Sequence, residues 1–306
     1  MRVAFRDALC QLAAADPRIW VVCGDLGYSI LEPFIERFPD RYVNAGVAEQ
    51  NMTGLAAGLA LAGKIPFTYS IANFPVMRCL EQIRNDVCYH RLPVKVVAVG
   101  GGFTYGAQGY SHHGVEDLAV LRCLPAMTVV APADPLETLA AVRAVAAAPG
   151  PCYLRLGKAK EPKVHQGAID FQLGRALTVR AGSDLTLIST GGMLQNTVAA
   201  AELLAARGLA ARVLSMHTVQ PLDIDAVAAA AQQTGALLTV EEHTIRGGLG
   251  SAVAELLAEA GWRVAFRRLG VDPDRHSPNG SRDFLLAHHG LHPEGIAAAA
   301  AALAGR

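Results

Sequence analysis

The chain has 306 residues, 52% of them hydrophobic and 18% charged, so it can bury a large core and has length for two ordinary domains. Its 27 basic and 27 acidic side chains cancel and no lysine-arginine cluster stands out, which argues against a nucleic-acid or membrane surface and leaves small molecules or protein partners. The start Met1-Arg2-Val3-Ala4-Phe5-Arg6-Asp7 lacks the apolar core of a signal peptide, no apolar run reaches membrane-spanning length, and a cytosolic location is expected.

In chain order, short apolar runs rich in β-branched residues predict strands at 19–22, 94–99, 127–130, 185–189, 211–214, 236–240 and 263–269. Between them lie alanine-rich segments with helical periodicity at 2–15, 51–62, 135–147, 193–207, 224–234 and 250–260, with a closing helix at 297–304. This alternation predicts an α/β fold with parallel sheets covered by helices. The polar stretch from Lys158 to Gly167 breaks the pattern and suits a connection between domains, giving domains at 1–160 and 181–306 with a linker at 161–180. Six cysteines (10, 23, 79, 88, 123 and 152) form no Cys-x-x-Cys pair and read as buried, reduced thiols.

Two stretches carry chemistry. In Gly46-Val47-Ala48-Glu49-Gln50-Asn51-Met52-Thr53-Gly54 a single carboxylate, Glu49, stands among small and apolar residues at the start of a helix. Such a group can share a proton with a ligand, although by itself it reads equally as a helix-start glutamate favoured by the macrodipole. About sixty residues on, Gly109-Tyr110-Ser111-His112-His113-Gly114-Val115-Glu116-Asp117 puts histidines on a glycine-flanked loop, where an imidazole can approach a ligand and exchange protons near neutral pH. No third ligand at a standard spacing accompanies His112 and His113, so a metal site is not expected.

Together the two stretches resemble the pyrimidine-binding half of transketolase and its thiamine-diphosphate-dependent relatives. The resemblance runs nearly end to end, with Val240-Glu241-Glu242-His243 and the glycine turn Gly247-Gly248-Leu249-Gly250-Ser251 as marks of the family's carboxy-terminal domain. It implies two parallel-sheet α/β domains and thiamine diphosphate as cofactor. Glu49, in the family's Gly-Val-x-Glu motif, would hydrogen-bond N1′ of the cofactor's aminopyrimidine and so activate it. His112 matches the histidine of the family's Gly-Pro-Thr-His-Gln segment and would move protons on the substrate, with His113 standing where a glutamine is usual. Phe74 and Tyr69 would supply the aromatic wall on which the aminopyrimidine stacks. Asp25 and Ser29 match an Asp-x-x-x-Ser pattern after the first strand, Asp25 on the cofactor side and Ser29 toward the substrate phosphate, where Arg155 would join it.

The departures are equally informative. Gln108 replaces an aspartate usual in relatives that handle ordinary sugar phosphates, and Gly100-Gly101-Gly102 stands where those relatives have a histidine, so an altered sugar donor is expected. The Gly-Asp-Gly segment and downstream asparagines that hold Mg2+ and the diphosphate have no counterpart here. The resemblance therefore implies the carboxy-terminal subunit of a split transketolase, working in an α2β2 assembly with an amino-terminal subunit that supplies those ligands. The β subunit of a 2-oxoacid dehydrogenase, a deoxyxylulose phosphate synthase fragment and a non-catalytic scaffold are the alternatives.

Overall fold

The computed structural model describes residues 1–158 and 161–305. Two sheets form the frame. The first holds β1 (Ile19–Cys23), β2 (Tyr42–Asn44), β3 (Ile65–Ile71), β4 (Lys95–Val99), β5 (Thr128–Val130) and β6 (Cys152–Leu156). The second holds β7 (Leu177–Arg180), β8 (Leu185–Ser189), β9 (Ala211–Ser215), β11 (Ala236–Thr244) and β12 (Ala265–Val271), while β10 (Thr218–Gln220) returns to the first sheet. The strand orders are β10-β5-β6-β4-β3-β1-β2 and β12-β11-β8-β9-β7, parallel except where β10 meets β5 and β7 meets β9. The predicted α/β fold with parallel sheets is thus present.

The central strands β4 and β6 are buried along their whole length, as expected for parallel strands covered on both faces. On one face, Phe5, Ala8 and Leu9 of the helix Arg2–Ala15 pack with Ala141, Val142 and Val145 of the helix Pro135–Ala147 in a single cluster with Phe67 and Tyr69. The spacing of those apolar residues places them on one stripe of each helix. The second of these helices has a complete start signal: Pro135 at the first position and an Asp134 carboxylate that accepts the Glu137 N–H at 2.9 Å. On the other face, one hydrophobic cluster runs from Met52 and Ala56 of the helix Glu49–Leu61 through Val96 to Ile188, Leu237 and Val253 of the second half. The two sheets therefore share a continuous core.

Two expectations need correction. The segment 161–180 is not wholly a linker, because its last four residues form β7 and pair antiparallel with β9. Of the polar stretch 158–167, Ala159 and Lys160 lie outside the described residues. Cys123 is exposed, whereas the other five cysteines are buried, and all six are free thiols. Among the described residues, no helix is long and apolar enough to cross a membrane.

Candidate active site

The carboxyl ends of the first sheet's strands converge on one rim, the usual place for a ligand in an open parallel sheet. After β2, the backbone turns at Gly46 with φ near +73° and enters the helix Glu49–Leu61. Asn44 at the end of β2 organises this turn. Its Oδ1 accepts the N–H groups of Asp25 and Gly46 at 3.1 and 2.9 Å, and its Nδ2 donates to the Asp25 carboxylate at 2.9 Å. Asn44 thereby ties the loop after β1 to the loop that carries Glu49.

Glu49 is 4% exposed, and its Oε2 accepts from Arg78 Nη1 at 3.1 Å. Both residues line an open cavity of about 430 Å³ with Val47, Ala48, Gln50 and Asn51. The Arg78 guanidinium also lies over the Phe74 ring, 4.4 Å from its centroid. Phe74 also meets His112 edge-on, with ring centroids 5.2 Å apart. Ser111 Oγ lies 3.0 Å from His112 Nδ1 and can fix the tautomer of the half-buried imidazole. Glu49, Phe74 and His112, three residues singled out in the sequence, are therefore linked in space through Arg78.

The remaining residues fall elsewhere. Tyr69 is 2% exposed inside β3 and stacks on Phe5 at 5.7 Å, so neither ring face is open and a stacking role there is withdrawn. His113 is 1% exposed, sits edge-on to Phe103 and has Nε2 at 3.3 Å from the Gly106 carbonyl. Burial pushes its imidazole below the ordinary histidine range, so it serves the interior rather than a substrate. Arg155 is 6% exposed: Nε donates to Asp117 at 2.8 Å, and Nη2 donates to the carbonyls of Gly114 and Glu242 at 2.5 and 3.0 Å. Those bonds join the histidine loop to the second sheet, and the expectation of a phosphate contact is not carried forward. Arg155 does reach a separate cavity of about 580 Å³ between the two halves, with Lys158, Asn196 and Arg282.

Asp25 and Ser29 are exposed and both have positive φ, near 57° and 63°. A short polar loop held in the left-handed region is a form of local strain that often accompanies ligand contact. Asp25 lines a cavity of about 200 Å³ with Tyr28, Glu32 and Asn44, while the Ser29 N–H donates to Glu32 at 2.7 Å. Gln108 is exposed in the one-turn helix Gly106–Gln108, four residues before His112. Sequence reasoning missed Arg78 and Asn44. The available signal was weak: Arg78 follows Phe74 by one helical turn, and Asn44 is a lone amide at a strand end.

Comparison with known proteins agrees with this architecture. Residues 1–163 match the family described as Transketolase, pyrimidine binding domain, and residues 174–296 match Transketolase, C-terminal domain. An apulose-4-phosphate transketolase subunit of Phocaeicola vulgatus is 40% identical over 297 residues, covering 96% of this chain and 94% of that protein. The 6-deoxy-6-sulfo-D-fructose transketolase subunit SqwH of a Clostridium species is 40% identical over 301 residues, covering 98% and 93%. A solved structure described as a split gene transketolase, inactive beta4 tetramer, superposes with a TM-score of 0.89 at 39% identity, covering 99% of this chain and 97% of that one. The chain belongs to the transketolase family. It corresponds over nearly its whole length to the carboxy-terminal subunit of split transketolases, and is a transferase subunit that depends on a partner.

Proposed function

We propose that this subunit provides the aminopyrimidine half of a thiamine-diphosphate site and uses it to transfer a two-carbon ketol unit from a ketose to an aldehyde. One arrangement carries the reading: a flat nitrogenous donor, the Arg78 guanidinium, already lies on the Phe74 ring and hydrogen-bonds the buried Glu49 carboxylate. An aminopyrimidine is also flat and presents nitrogen to a carboxyl group, so the donor set suits it. The cofactor, when bound, supplies a carbon nucleophile and stabilises the two-carbon carbanion after C–C cleavage.

In this reading Glu49 holds the ring nitrogen, Phe74 orients the ring, and His112 exchanges protons with substrate hydroxyls beside it. Asp25 stands on the cofactor side, and Ser29 and Gln108 face the sugar. The diphosphate and Mg2+ are held by an amino-terminal partner subunit, because the chain lacks the Gly-Asp-Gly segment and its asparagines. The assembly in this reading is α2β2; self-association of the subunit is supported by the similarity to a split gene transketolase described as an inactive beta4 tetramer. The two named relatives act on different ketoses, consistent with an altered donor here, and the working compartment is the cytosol.

The test is Glu49→Gln in the complex with its partner. Turnover should fall by at least about 100-fold, the usual scale for losing a positioned proton donor, with circular dichroism unchanged. Full activity in that variant would sink the assignment.

A further inference from the structure

The loop carrying His112 leaves the sheet after β4 and returns at the helix Asp117–Arg122. Its base is closed by the Gly102 N–H to the Gly114 carbonyl at 2.7 Å and the reverse bond at 2.9 Å. Above that base, contacts from the second half hold it. Glu242, 4% exposed on β11, accepts the Phe103 N–H on Oε1 at 2.8 Å. Arg282 grips the same carboxylate, Nε at 3.0 and 3.2 Å from its two oxygens and Nη2 at 2.7 Å from Oε2. The Phe103 ring stacks on His289 with centroids 5.4 Å apart and planes 10° from parallel. Further along, the Gly280 N–H donates to the Gly106 carbonyl at 3.3 Å, and the Asn279 amide lies so close under Gly109 that a Cβ there would sit 2.8 Å from its oxygen.

We propose that Glu242 and Arg282 are positioning residues for His112: the second domain sets where that imidazole stands beside Phe74. The inference rests on the proton-moving role given to His112 above. Glu242 acts at a distance, through the Phe103 N–H and the loop. A carboxylate held by two guanidinium nitrogens is a strong, geometrically fixed acceptor, and it anchors the end of a loop whose glycines at 102 and 109 have positive φ and little intrinsic stiffness. Displacing a catalytic group by about 1 Å costs large factors in rate, so an anchor of this kind bears on turnover without touching substrate. It also gives the second domain a task in the reaction.

Two measurements test the proposal. In the isolated subunit, amide hydrogen exchange in residues 103–113 should accelerate at least tenfold in Glu242→Ala and in Arg282→Met, and less in Glu242→Gln, which keeps an acceptor for Phe103. Exchange in the helix Glu49–Leu61 should stay unchanged. In the holoenzyme assembled with its partner and supplied with hydroxypyruvate as donor, Glu242→Ala should lower kcat about 10- to 100-fold against native His112, and less than about twofold in a His112→Ala background. Unchanged loop exchange, or the same kcat factor in both backgrounds, would overturn it. Full turnover in His112→Ala would remove the role of His112 itself, and loop exchange would still decide whether the pair fixes the loop.

Discussion

His165 Nε2 and Glu137 Oε1 meet at 2.7 Å where the connecting segment crosses between the two sheets. The same Glu137 oxygen accepts from Ser215 of β9 at 2.7 Å, and Oε2 accepts the Ala133 N–H at 2.7 Å. One buried carboxylate therefore fastens the first domain, the connection and the second domain together.

This bond predicts a pH signature. The hydrogen bond that the imidazole donates to Glu137 raises His165 above the ordinary histidine range, against the opposing effect of burial. A raised folded-state value means that the stabilisation is fully present below the unfolded value near 6.5 and is lost as pH rises through the folded one. His165→Gln should thus cost roughly 1 kcal/mol at pH 5.5, and that difference should shrink toward zero by pH 9. Urea midpoints of both proteins across that range would show it, and a pH-independent difference would refute it.

Arg78→Ala removes the side-chain donor to a carboxylate that is 4% exposed. The subunit should lose about 1–3 kcal/mol, the cost of leaving a buried charged acceptor unpaired, with Arg78 itself half exposed and therefore less than a full buried pair. Arg78→Lys should recover only part of this, because an ammonium does not reproduce the flat contact with Phe74. Denaturant unfolding of the three proteins, with equal midpoints as the contrary result, checks it.

Gly102 has φ near +67°, and a Cβ on it would lie 2.3 Å from the Glu242 carboxyl carbon. Gly102→Ala should therefore destabilise the protein by at least about 1 kcal/mol for the backbone alone, and should displace Glu242 as well. A thermal midpoint equal to that of the native chain would contradict this.

Lys95 is fully buried in β4, and its ammonium donates to the carbonyls of Ala148 and Gly150, each at 2.7 Å. Burial lowers its ionisation from the ordinary lysine range. Lys95→Met keeps much of the volume but leaves two carbonyls without that donor, which should cost about 2 kcal/mol or more. A gain in stability would show that removing the buried charge outweighs those bonds.

Much of the frame is legible in the sequence because it is written locally. The helices Arg2–Ala15 and Pro135–Ala147 and the strand Leu185–Ser189 match the predicted ranges, each from its own periodicity or start signal. Strand β6 escapes sequence reading, since Arg155 interrupts its apolar run, and that arginine is tolerable inside because of its ion pair with Asp117 and its bonds to the carbonyls of Gly114 and Glu242, all distant in sequence. The short strands β2, β7 and β10 carry too few residues for any pattern, and partners distant in sequence define them. In the site, Glu49 and His112 stand out through their neighbours in sequence. Tyr69 is of the right type on the wrong side of its strand, and the part played by Arg78 arises only when two separate loops meet.

Strand β10 has a further consequence. Residues 218–220 follow three strands of the second sheet, yet they complete the first by pairing antiparallel with Val129 and Val130. During synthesis the amino-terminal half must wait, with the β5 edge open, until residue 220 has left the ribosome. A fragment cut at the family boundary near residue 163 would carry that raw edge permanently and should pair with other chains through it. The chain is thus two domains by ancestry and a single unit for the ribosome.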